Sequence, residues 1–358
     1  VTDAAKELDA LPDVIRLSES SATGYYDQNF VTVLERRPDK VWVRERLWKV
    51  RARRIILATG AIERPITFAD NDRPGIMLTS AASNYCLRYG VKPGKRAVLF
   101  TNNNSSYRHA IELLDSGIDV AAIVDLRAQP NANLASEVAT RGIEVLHDSY
   151  IAGVAGSRRV SAIEVADTGK NRKRHKIDCD LLLVSGGWNP TVHMHSQSGA
   201  KPEYHSGLAT FVPGASVQSE ISIGACAGHF TLAECLNDGF SAGNMAAGAC
   251  DFASDTAAVS ACTPEAELDI LATWEIPLPK KSSRAFVDFN NDVTSKDIRL
   301  AEREGYRSIE LVKRYTTAGM GLDQGKTGNV NIIGLMSVIT GTTPGDIGTT
   351  TYRPAYRP

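Results

Sequence analysis

The chain has 358 residues and a nearly balanced charge, with 40 Lys and Arg residues against 41 Asp and Glu residues. Hydrophobic residues make up 43% of the sequence and charged residues 23%, which excludes a disordered, collagen-like or disulfide-scaffold protein. A net charge of −1 provides no global field that would attract nucleic acid or an anionic membrane. We therefore expect a globular protein of about two domains with no nucleic-acid partner.

The cysteines and the start of the chain indicate a compartment. Six cysteines are scattered without a Cys-x-x-Cys pair, which is typical of thiols in a reducing compartment. No apolar run approaches the roughly 20 residues that a membrane span needs. The chain starts at Val1 without a charged segment followed by an apolar one, so we expect no secretory signal. These features predict a cytoplasmic protein, or a piece of one, with no membrane partner.

The N-terminal part predicts antiparallel strands followed by a buried strand. Residues 29–35 and 41–50 alternate apolar and polar side chains, and the segment 37–40 between them predicts a hairpin turn. Residues 54–58 then form a short apolar run, typical of a strand buried on both faces, that ends in the turn Thr59–Gly60. In flavoproteins with two dinucleotide-binding folds, such a turn is small because a dinucleotide passes close to its backbone. The alternative is an ordinary buried strand with a glycine turn.

A β-α-β unit follows, with strands predicted at Ala97–Phe100 and Asp119–Val124 and a helix at Tyr107–Ser116. A phosphate-binding G-x-G-x-x-G motif belongs after the first of these strands, but residues 101–106 contain no glycine. Asp125 stands where the acid that binds a ribose belongs. We predict that this unit is a structural half of a dinucleotide fold and binds no nucleotide tightly.

A second glycine-rich segment, Gly224–Thr231, precedes a predicted helix and favours an anion such as pyrophosphate. Two-dinucleotide flavoproteins place a Gly-Asp pair here, and the Asp holds the flavin. Ala225 follows Gly224 in this chain, which indicates a nucleotide other than FAD. His229 is either a polar ligand contact or a helix-capping residue.

Near the C-terminus, a helix is predicted at Ser295–Tyr315 and a phosphate site directly after it. Arg314, Thr316, Thr317 and Lys326 combine two cations with hydroxyl groups in a glycine-rich stretch. The alternative is a helix end at which cations interact favourably with the helix dipole. This accounts for Arg314 but not for Lys326.

Catalytic and metal-binding motifs are not evident. His193 and His195 flank Met194, but no third ligand has suitable spacing, so we predict no metal site. The sequence has no G-x-S-x-G motif and no cysteine in an activating context. We therefore predict no catalytic residue on this chain.

Several longer segments resemble the α subunits of the heterotetrameric sarcosine oxidases, namely Ala58–Pro65, Asp70–Met77, Ser185–Pro190, His193–Ser196, Phe286–Val293, Lys313–Lys326 and Gly348–Pro354. The resemblance covers essentially the whole chain. It implies an α/β, two-dinucleotide-binding-domain flavoprotein fold of the disulfide-reductase type, incomplete at the N-terminus, with a small helical C-terminal segment.

The resemblance also implies a domain division. Its parts are a remainder of the first nucleotide-binding domain with a β-hairpin and a connecting helix (1–94), a second, degenerate Rossmann-like domain (95–185), a return to the first domain (186–250), and a C-terminal segment with a linker to a missing domain (251–358).

The family oxidises sarcosine with O₂ and water to glycine, H₂O₂ and either formaldehyde or methylene-tetrahydrofolate. The resemblance implies that this chain binds NAD and shares an FMN with a partner chain, within a complex of α, β, γ and δ subunits. FAD and folate would lie in other subunits or domains.

Two sets of site residues follow from the resemblance. Gly224, His229 and Thr231 would line the NAD pocket, with Ala22 and the Thr59–Gly60 turn beside it. The FMN phosphate would contact the chain at Arg314, Thr316, Thr317 and Lys326.

Three alternatives remain open at this point. One alternative is the equivalent subunit of an opine, proline or other secondary-amine dehydrogenase, with the same fold but a different amine. An NAD(P)H-dependent flavoprotein reductase would need an intact second fingerprint, which residues 102–106 do not provide. A non-catalytic scaffold subunit would need none of these sites.

Overall fold

The computed structural model describes residues 2–37, 42–169, 174–252, 268–280, 283–350 and 352–353. Most of the predicted turn at 37–40, the start of the segment after residue 250 and the end of the C-terminal tail lie outside these described residues.

The strands of the described part are β1 (Ser20–Tyr26), β2 (Phe30–Arg36), β3 (Glu45–Arg51), β4 (Ile55–Leu57), β5 (Ala61–Glu63), β6 (Ile76–Leu78), β7 (Arg96–Thr101), β8 (Asp119–Asp125), β9 (Glu144–Leu146), β10 (Ser149–Ala155), β11 (Ala162–Asp167), β12 (Arg174–Asp178), β13 (Leu181–Ser185), β14 (Trp188–Pro190), β15 (Pro202–His205), β16 (Thr210–Pro213), β17 (Glu220–Ser222), β18 (Phe286–Asp288) and β19 (Val293–Thr294).

The helices are α1 (Thr2–Asp9), α2 (Thr79–Tyr89), α3 (Ser105–Asp115), α4 (Ala132–Thr140), α5 (His193–Gln197), α6 (Leu232–Gly248), α7 (Ser295–Arg303), α8 (Ile309–Thr316), α9 (Asn329–Thr340) and α10 (Pro344–Ile347). Short 3₁₀ turns lie at Ser206–Leu208 and Gly224–Ala227.

The β-α-β unit predicted from the sequence forms the centre of a five-stranded parallel sheet with the order β6-β13-β7-β8-β9. Its strands are apolar on both faces because both faces are covered, as in other parallel sheets. Val98 and Phe100 face a core shared with Ile163 and Val165 of the sheet β10-β11-β12. Alternate residues such as Leu99 face a core that contains side chains of α3. This sheet is therefore a middle layer between a second sheet and helices.

Two details of this unit show how the sequence sets its boundaries. The helix predicted at Tyr107–Ser116 is α3, and Gly117 follows it with a φ of +79°, as expected for a C-terminal glycine. β6 and α2 precede residue 95 in the chain, but β6 pairs with β13 and α2 packs against α3. The layer around this sheet thus includes residues from before its central β-α-β unit.

The first-domain part contains the antiparallel sheet β1-β2-β3 and the parallel pair β4-β17. β2 and β3 correspond to the predicted hairpin, although β3 begins at Glu45 rather than near residue 41. β4 corresponds to the predicted buried strand. The pairing of β4 with β17 brings the Thr59–Gly60 turn to the loop after β17.

The C-terminal helices α7, α8 and α9 pack in a core that also contains Ala209, Phe211 and Trp274. Residues Asn329–Ser337 of α9 are all buried. The prediction of one helix at Ser295–Tyr315 is wrong, because the chain forms α7 and α8 with a break between them. Gly305 adopts a φ of +94°, which ends the first helix, and Ser308 is the N-cap of the second. The apolar spacing continues across the break from Ile298 to Val312, which conceals it in the sequence.

Candidate functional site

The Thr59–Gly60 turn lies at the end of β4, directly beside the loop that follows β17. The N–H of Ile223 donates to the carbonyl oxygen of Leu57 at 3.0 Å, so the carboxyl ends of these parallel strands meet at one edge. The Thr59 hydroxyl lies 3.0 Å from Sγ of Cys226, which belongs to the loop after β17. The structure thus brings the two predicted nucleotide-binding segments together.

Gly60 has an open environment on its outer side. It adopts a φ of +71°, and a Cβ atom built on it would meet no atom within 4 Å. The Thr59 side chain beside it is exposed. This turn therefore leaves room for a ligand to pass close to the backbone.

A carboxylate that sequence analysis did not identify holds the loop after β17. Oδ2 of Asp238 accepts a hydrogen bond from the N–H of Gly224 at 2.8 Å and lies 2.6 Å from Nδ1 of His229. Gly224 is buried and has a φ of +63°. The His229 ring therefore ties the loop to α6 and is not the helix cap, and its contact with a ligand stays a prediction.

Thr231 is the N-cap of α6. Its hydroxyl oxygen accepts the N–H of Glu234 at 3.2 Å, and Oε2 of Glu234 accepts the N–H of Thr231 at 3.0 Å. This capping box satisfies donors at the helix start and places a carboxylate in the first turn. An anion at this helix end would meet the charge of Glu234, so Thr231 fits a hydroxyl or amide group better than a phosphate.

Ala22 belongs to another element, β1. It is exposed in β1, opposite Val33 and beside a β-bulge. Within the described residues, β1 is tied to α5, since Oε1 of Gln197 accepts the N–H of Tyr25 at 3.0 Å. The assignment of Ala22 to a nucleotide pocket stays a prediction.

Residues 268–276, here called the crossing segment, lie against the turn where the second phosphate fingerprint would be. The N–H of Leu271 donates to the carbonyl oxygen of Asn102 at 2.9 Å, and Nδ2 of Asn102 donates to the carbonyl oxygen of Leu271 at 2.7 Å. Asn103 forms a β-bridge with Ile270. The chain itself therefore occupies the backbone that a pyrophosphate would approach.

Asp125 at the end of β8 is also engaged by protein groups. Its carboxylate accepts hydrogen bonds from Nε and Nη2 of Arg127 at 3.1 and 2.7 Å, and from the Tyr107 hydroxyl at 2.8 Å. Nη1 of Arg127 donates to the carbonyl oxygen of Asp269 in the crossing segment at 2.9 Å. With Asp125 fully buried, these contacts support the prediction that the second fold binds no nucleotide tightly.

The predicted phosphate residues at the end of α8 differ in their surroundings. Arg314 is exposed in the last turn of the helix. The Thr316 hydroxyl donates to the carbonyl oxygen of Val312 at 2.7 Å, and the Thr317 hydroxyl donates to that of Thr316 at 2.6 Å. Thr317 also has a φ of +63°, a rare conformation for a β-branched residue. Arg314 can reach a ligand directly, whereas both hydroxyls would first have to leave backbone partners.

Lys326 lies on the other side of the glycine-rich loop. Its carbonyl oxygen accepts a hydrogen bond from Nδ2 of Asn189 at 3.0 Å, and it lines a small cavity together with His193. Burial and the charge of Lys326 lower the pKa of His193 to about 4. Lys326 therefore lies beside His193.

Two backbone donors of this loop already have carboxylate partners. The N–H of Gly319 donates to Oδ2 of Asp288 at 2.6 Å, and the N–H of Gly325 donates to Oδ1 of Asp323 at 3.1 Å. A phosphate bound here would therefore depend on side-chain cations and not on these amides.

Comparisons with known proteins place this geometry in a family context. The chain is 40% identical to "Sarcosine oxidase subunit alpha" of Rhizobium meliloti (strain 1021) over 99% of its own length and 36% of that protein. It is 36% identical to the protein of that name from Corynebacterium sp. (strain P-1), over 98% of the chain and 38% of that protein. Residues 282–358 match the sarcosine oxidase A3 domain family. The chain is a homologue of sarcosine oxidase α subunits.

A solved structure with a similar fold is the L-proline dehydrogenase from P. horikoshii. The TM-score is 0.68 at 21% sequence identity, and the match covers 95% of this chain and 63% of that chain. It confirms the predicted α/β fold with dinucleotide-binding architecture. This sarcosine oxidase α homologue spans little more than a third of the length of the curated relatives that it matches.

A buried polar cluster joins the C-terminal loop of this α-subunit homologue to its first-domain part, and sequence analysis did not identify it. Arg64 is 1% exposed, and its Nη1 donates to Oδ1 of Asn189 at 2.9 Å. Burial lowers the pKa of Arg64 to about 10. The signal in the sequence was weak, because a single Arg after β5 has no distinguishing pattern. Asn189 therefore connects Arg64 to the backbone of Lys326.

Two further features concern metals and membranes. Within the part of the chain that the structure describes, no group of three or more His, Cys, Asp or Glu residues is arranged to hold a metal ion. In the same part, no helix has the length and apolar character needed to cross a membrane.

Proposed function

We propose that this chain is the nucleotide-binding central part of the α subunit of a complex that oxidises sarcosine. The reaction is sarcosine + O₂ + H₂O to glycine + formaldehyde + H₂O₂, or transfer of the same carbon to tetrahydrofolate. The observation that carries the proposal is the 40% identity with a sarcosine oxidase α subunit over 99% of this chain.

The edge at which β4 and β17 end, in the first-domain part, supports NAD as the nucleotide. The Thr59–Gly60 turn is open, and Gly224 stands directly beside it without a following Asp that would hold a flavin. The α6 N-terminus carries Glu234, so we place a sugar or amide of the nucleotide at Thr231 and not its pyrophosphate. NAD would then be held mainly through backbone and hydroxyl contacts.

The C-terminal loop supports contact with the phosphate of an FMN that a partner chain shares. Arg314 is the exposed cation of the set and would form charge-assisted hydrogen bonds with it. Thr316 and Thr317 stay in the proposed site as secondary contacts, since each hydroxyl already donates to a backbone carbonyl. Lys326 stays in it as a second cation that lies beside His193.

Amine oxidation itself is assigned to a partner chain, where a bound FAD would supply the hydride acceptor. One acid–base pair of this chain is unavailable for that step. Nδ1 of His195 lies 2.7 Å from Oε1 of Glu220, and both side chains are 0% exposed, so neither can reach a substrate. We assign to this chain the binding of nucleotide and of partner subunits.

Further parts of the proposal concern the assembly. We infer β, γ and δ subunits as partners and a cytoplasmic location. The domain limits at residues 94, 185 and 250 stay predictions, and β6 and α2 lie before the first limit but pack with the sheet and helices of the second fold.

The test is to co-express the full-length subunit that contains this chain with its partner subunits. We expect NAD to be released on denaturation in a ratio near one per complex, and H₂O₂ to form when sarcosine is added. Proline and an N-(carboxyalkyl) amino acid serve as alternative substrates. A complex that contains no NAD and oxidises only proline or the opine would refute the proposal.

A further inference from the structure

The antiparallel sheet β1-β2-β3 has one face toward the core and one face away from it. Tyr25 and Val31 pack with Leu57 and Met194 on the first of these faces. Because side chains alternate across a strand, the residues next to Tyr25 and Val31 point to the opposite side. Cross-strand pairing joins the side chains of that side, here called the outer face, namely Tyr26, Phe30, Leu34, Leu47, Lys49 and Arg51.

The outer face is apolar at positions where the solvent face of an antiparallel sheet is usually polar. Tyr26 is 52% exposed and Leu47 is 54% exposed. Phe30 and Leu34 belong to the middle strand between them and are half-buried. Contiguous exposed apolar side chains mark surfaces that contact another macromolecule.

Cations border this apolar area. Residues 44–54 contain six Lys or Arg residues and one acid, in a chain with a net charge of −1, and all six cations are exposed. Lys49 and Arg51 lie on the outer face itself, and no ion pair joins either of them to a carboxylate of the described residues. A complementary surface would therefore carry Asp or Glu side chains opposite them.

Side-chain contacts hold the aromatic and cationic groups of the outer face in place. The guanidinium carbon of Arg51 lies 5.9 Å from the ring centroid of Phe30, and its Nη1 donates to Oε1 of Gln28 at 3.1 Å. The ring centroids of Tyr26 and Phe30 are 5.9 Å apart. Groups that are already held lose less conformational entropy on binding, so these Tyr and Arg side chains are suited to anchor a partner.

We propose that the outer face docks another subunit of the complex, whose contact surface is apolar with acidic side chains at its border. The inference rests on the part of the proposed function that gives this chain partner subunits. It uses none of the residues assigned to NAD or FMN. Ala22, the one residue of this sheet assigned to the NAD pocket, pairs with Val33, which alternates onto the other face.

The test is to co-express the full-length subunit that contains this chain with its partner subunits and to measure the assembled fraction by mass photometry on serial dilution. Lys49→Glu together with Arg51→Glu should raise the dissociation constant at least about tenfold at low salt, because like charges would then face each other. High salt should reduce this difference, since it screens exposed charges. Leu47→Ala should weaken assembly by about three- to tenfold at either salt concentration.

Arg174→Glu together with Lys176→Glu is the matched control. These two cations also occupy alternate exposed positions of a strand, β12, at the edge of its sheet, and their reversal should leave assembly unchanged. Equal weakening in the control and the outer-face double variant would overturn the inference. Normal assembly of the wild type and of both outer-face variants would overturn this inference alone. A wild-type subunit that recruits no partner would refute the assembly part of the proposed function as well.

The isolated full-length subunit tests the other occupants of the outer face. Its melting temperature and its molar mass in solution should be the same in the wild type and in the outer-face variants. A lower melting temperature in the charge-reversed subunit would mean that residues of the same chain cover the face. Loss of a self-dimer in that variant would mean that a second copy covers it. Either result would overturn the proposal.

Discussion

The guanidinium of Arg127 forms a two-point contact with the carboxylate of Asp125, two residues earlier in the chain. The N···O distances are 3.1 and 2.7 Å, and the side chains are 6% and 0% exposed. The same guanidinium also reaches the crossing segment. In a dinucleotide fold that binds its nucleotide, the acid at this position would bind the ribose. Here Asp125 instead binds the Arg127 side chain that contacts the crossing segment.

Asp125→Asn should destabilise the protein strongly. The substitution keeps the shape but leaves the buried Arg127 charge without its main counter-charge, which costs about 3 kcal/mol in comparable buried pairs. Urea unfolding of the wild type and the variant measures the difference. The NAD content of the complex should stay unchanged, because the nucleotide is proposed to lie at the other fold.

Asp119→Asn is the matched control, since Asp119 begins the strand that Asp125 ends. Its partner Arg96 is exposed, so we expect a loss below about 1 kcal/mol. Equal losses in the two variants would show that the Asp125 contact is not a buried charge pair in solution. A fall in NAD content with Asp125→Asn alone would place a nucleotide at the second fold.

The sequence predicted the local elements well where one pattern and one boundary signal agreed. β7, α3 and β8 lie within two residues of their predicted limits, because continuous apolar runs were bounded by Asn, Ser and Gly. The break between α7 and α8 was missed, because apolar spacing continued through Gly305.

The contacts that define the candidate sites could not be predicted from the sequence, because they join residues that are far apart along the chain. Arg127 and Asp269 are 142 residues apart, and no local pattern connects them. Asp238 lies 14 residues after Gly224, and only the folding of α6 back over the loop brings the two together. Likewise, Arg314 and Lys326 are close in sequence, but the loop between them turns Lys326 toward His193.

His193 should make stability depend on pH. Burial and the charge of Lys326 lower its pKa from 6.5 to about 4, so between these values the unfolded chain binds more protons than the folded one. The free energy of unfolding should therefore fall by about 3 kcal/mol from this group as the pH drops from 6.5 to 4. His193→Gln should remove this contribution, measured by urea unfolding across that range.

His175→Gln is the control for this titration, since His175 is exposed in β12. It should retain the wild-type dependence on pH. The same slope in His193→Gln as in the wild type would mean that His193 is not buried as a neutral ring in solution.

Gly60→Ala tests whether a nucleotide passes over the first-domain turn. Gly60 and Gly90 have φ values of +71° and +64°, and a Cβ on either would meet no atom within 4 Å. Alanine at either position should therefore lower the free energy of unfolding by a similar amount, about 1–2 kcal/mol, because of the backbone conformation alone. Only Gly60→Ala should lower the NAD content of the purified complex. Equal NAD content in Gly60→Ala and Gly90→Ala would remove the turn from the proposed pocket.

Arg314→Ala tests the proposed phosphate contact. Arg314 is exposed and lies outside the C-terminal core, so its loss should leave the fold intact. Charge-assisted hydrogen bonds to a phosphate are worth roughly 1.5–3 kcal/mol, so their loss should weaken FMN retention about 10- to 100-fold. FMN released from the co-expressed complex measures this loss.

Lys326→Met extends the same test to the second cation and should separate two effects. Removing the charge should raise the pKa of His193, because the Lys326 charge lowers that pKa in the wild type. It should weaken FMN retention only if the ammonium group also reaches the phosphate. Arg307→Ala, an exposed cation between α7 and α8, is the control and should leave FMN content unchanged. Normal FMN content in both Arg314→Ala and Lys326→Met would show that the loop does not bind the phosphate. A loss in Arg314→Ala alone would confine the contact to the end of α8, as the inward position of Lys326 leads us to expect.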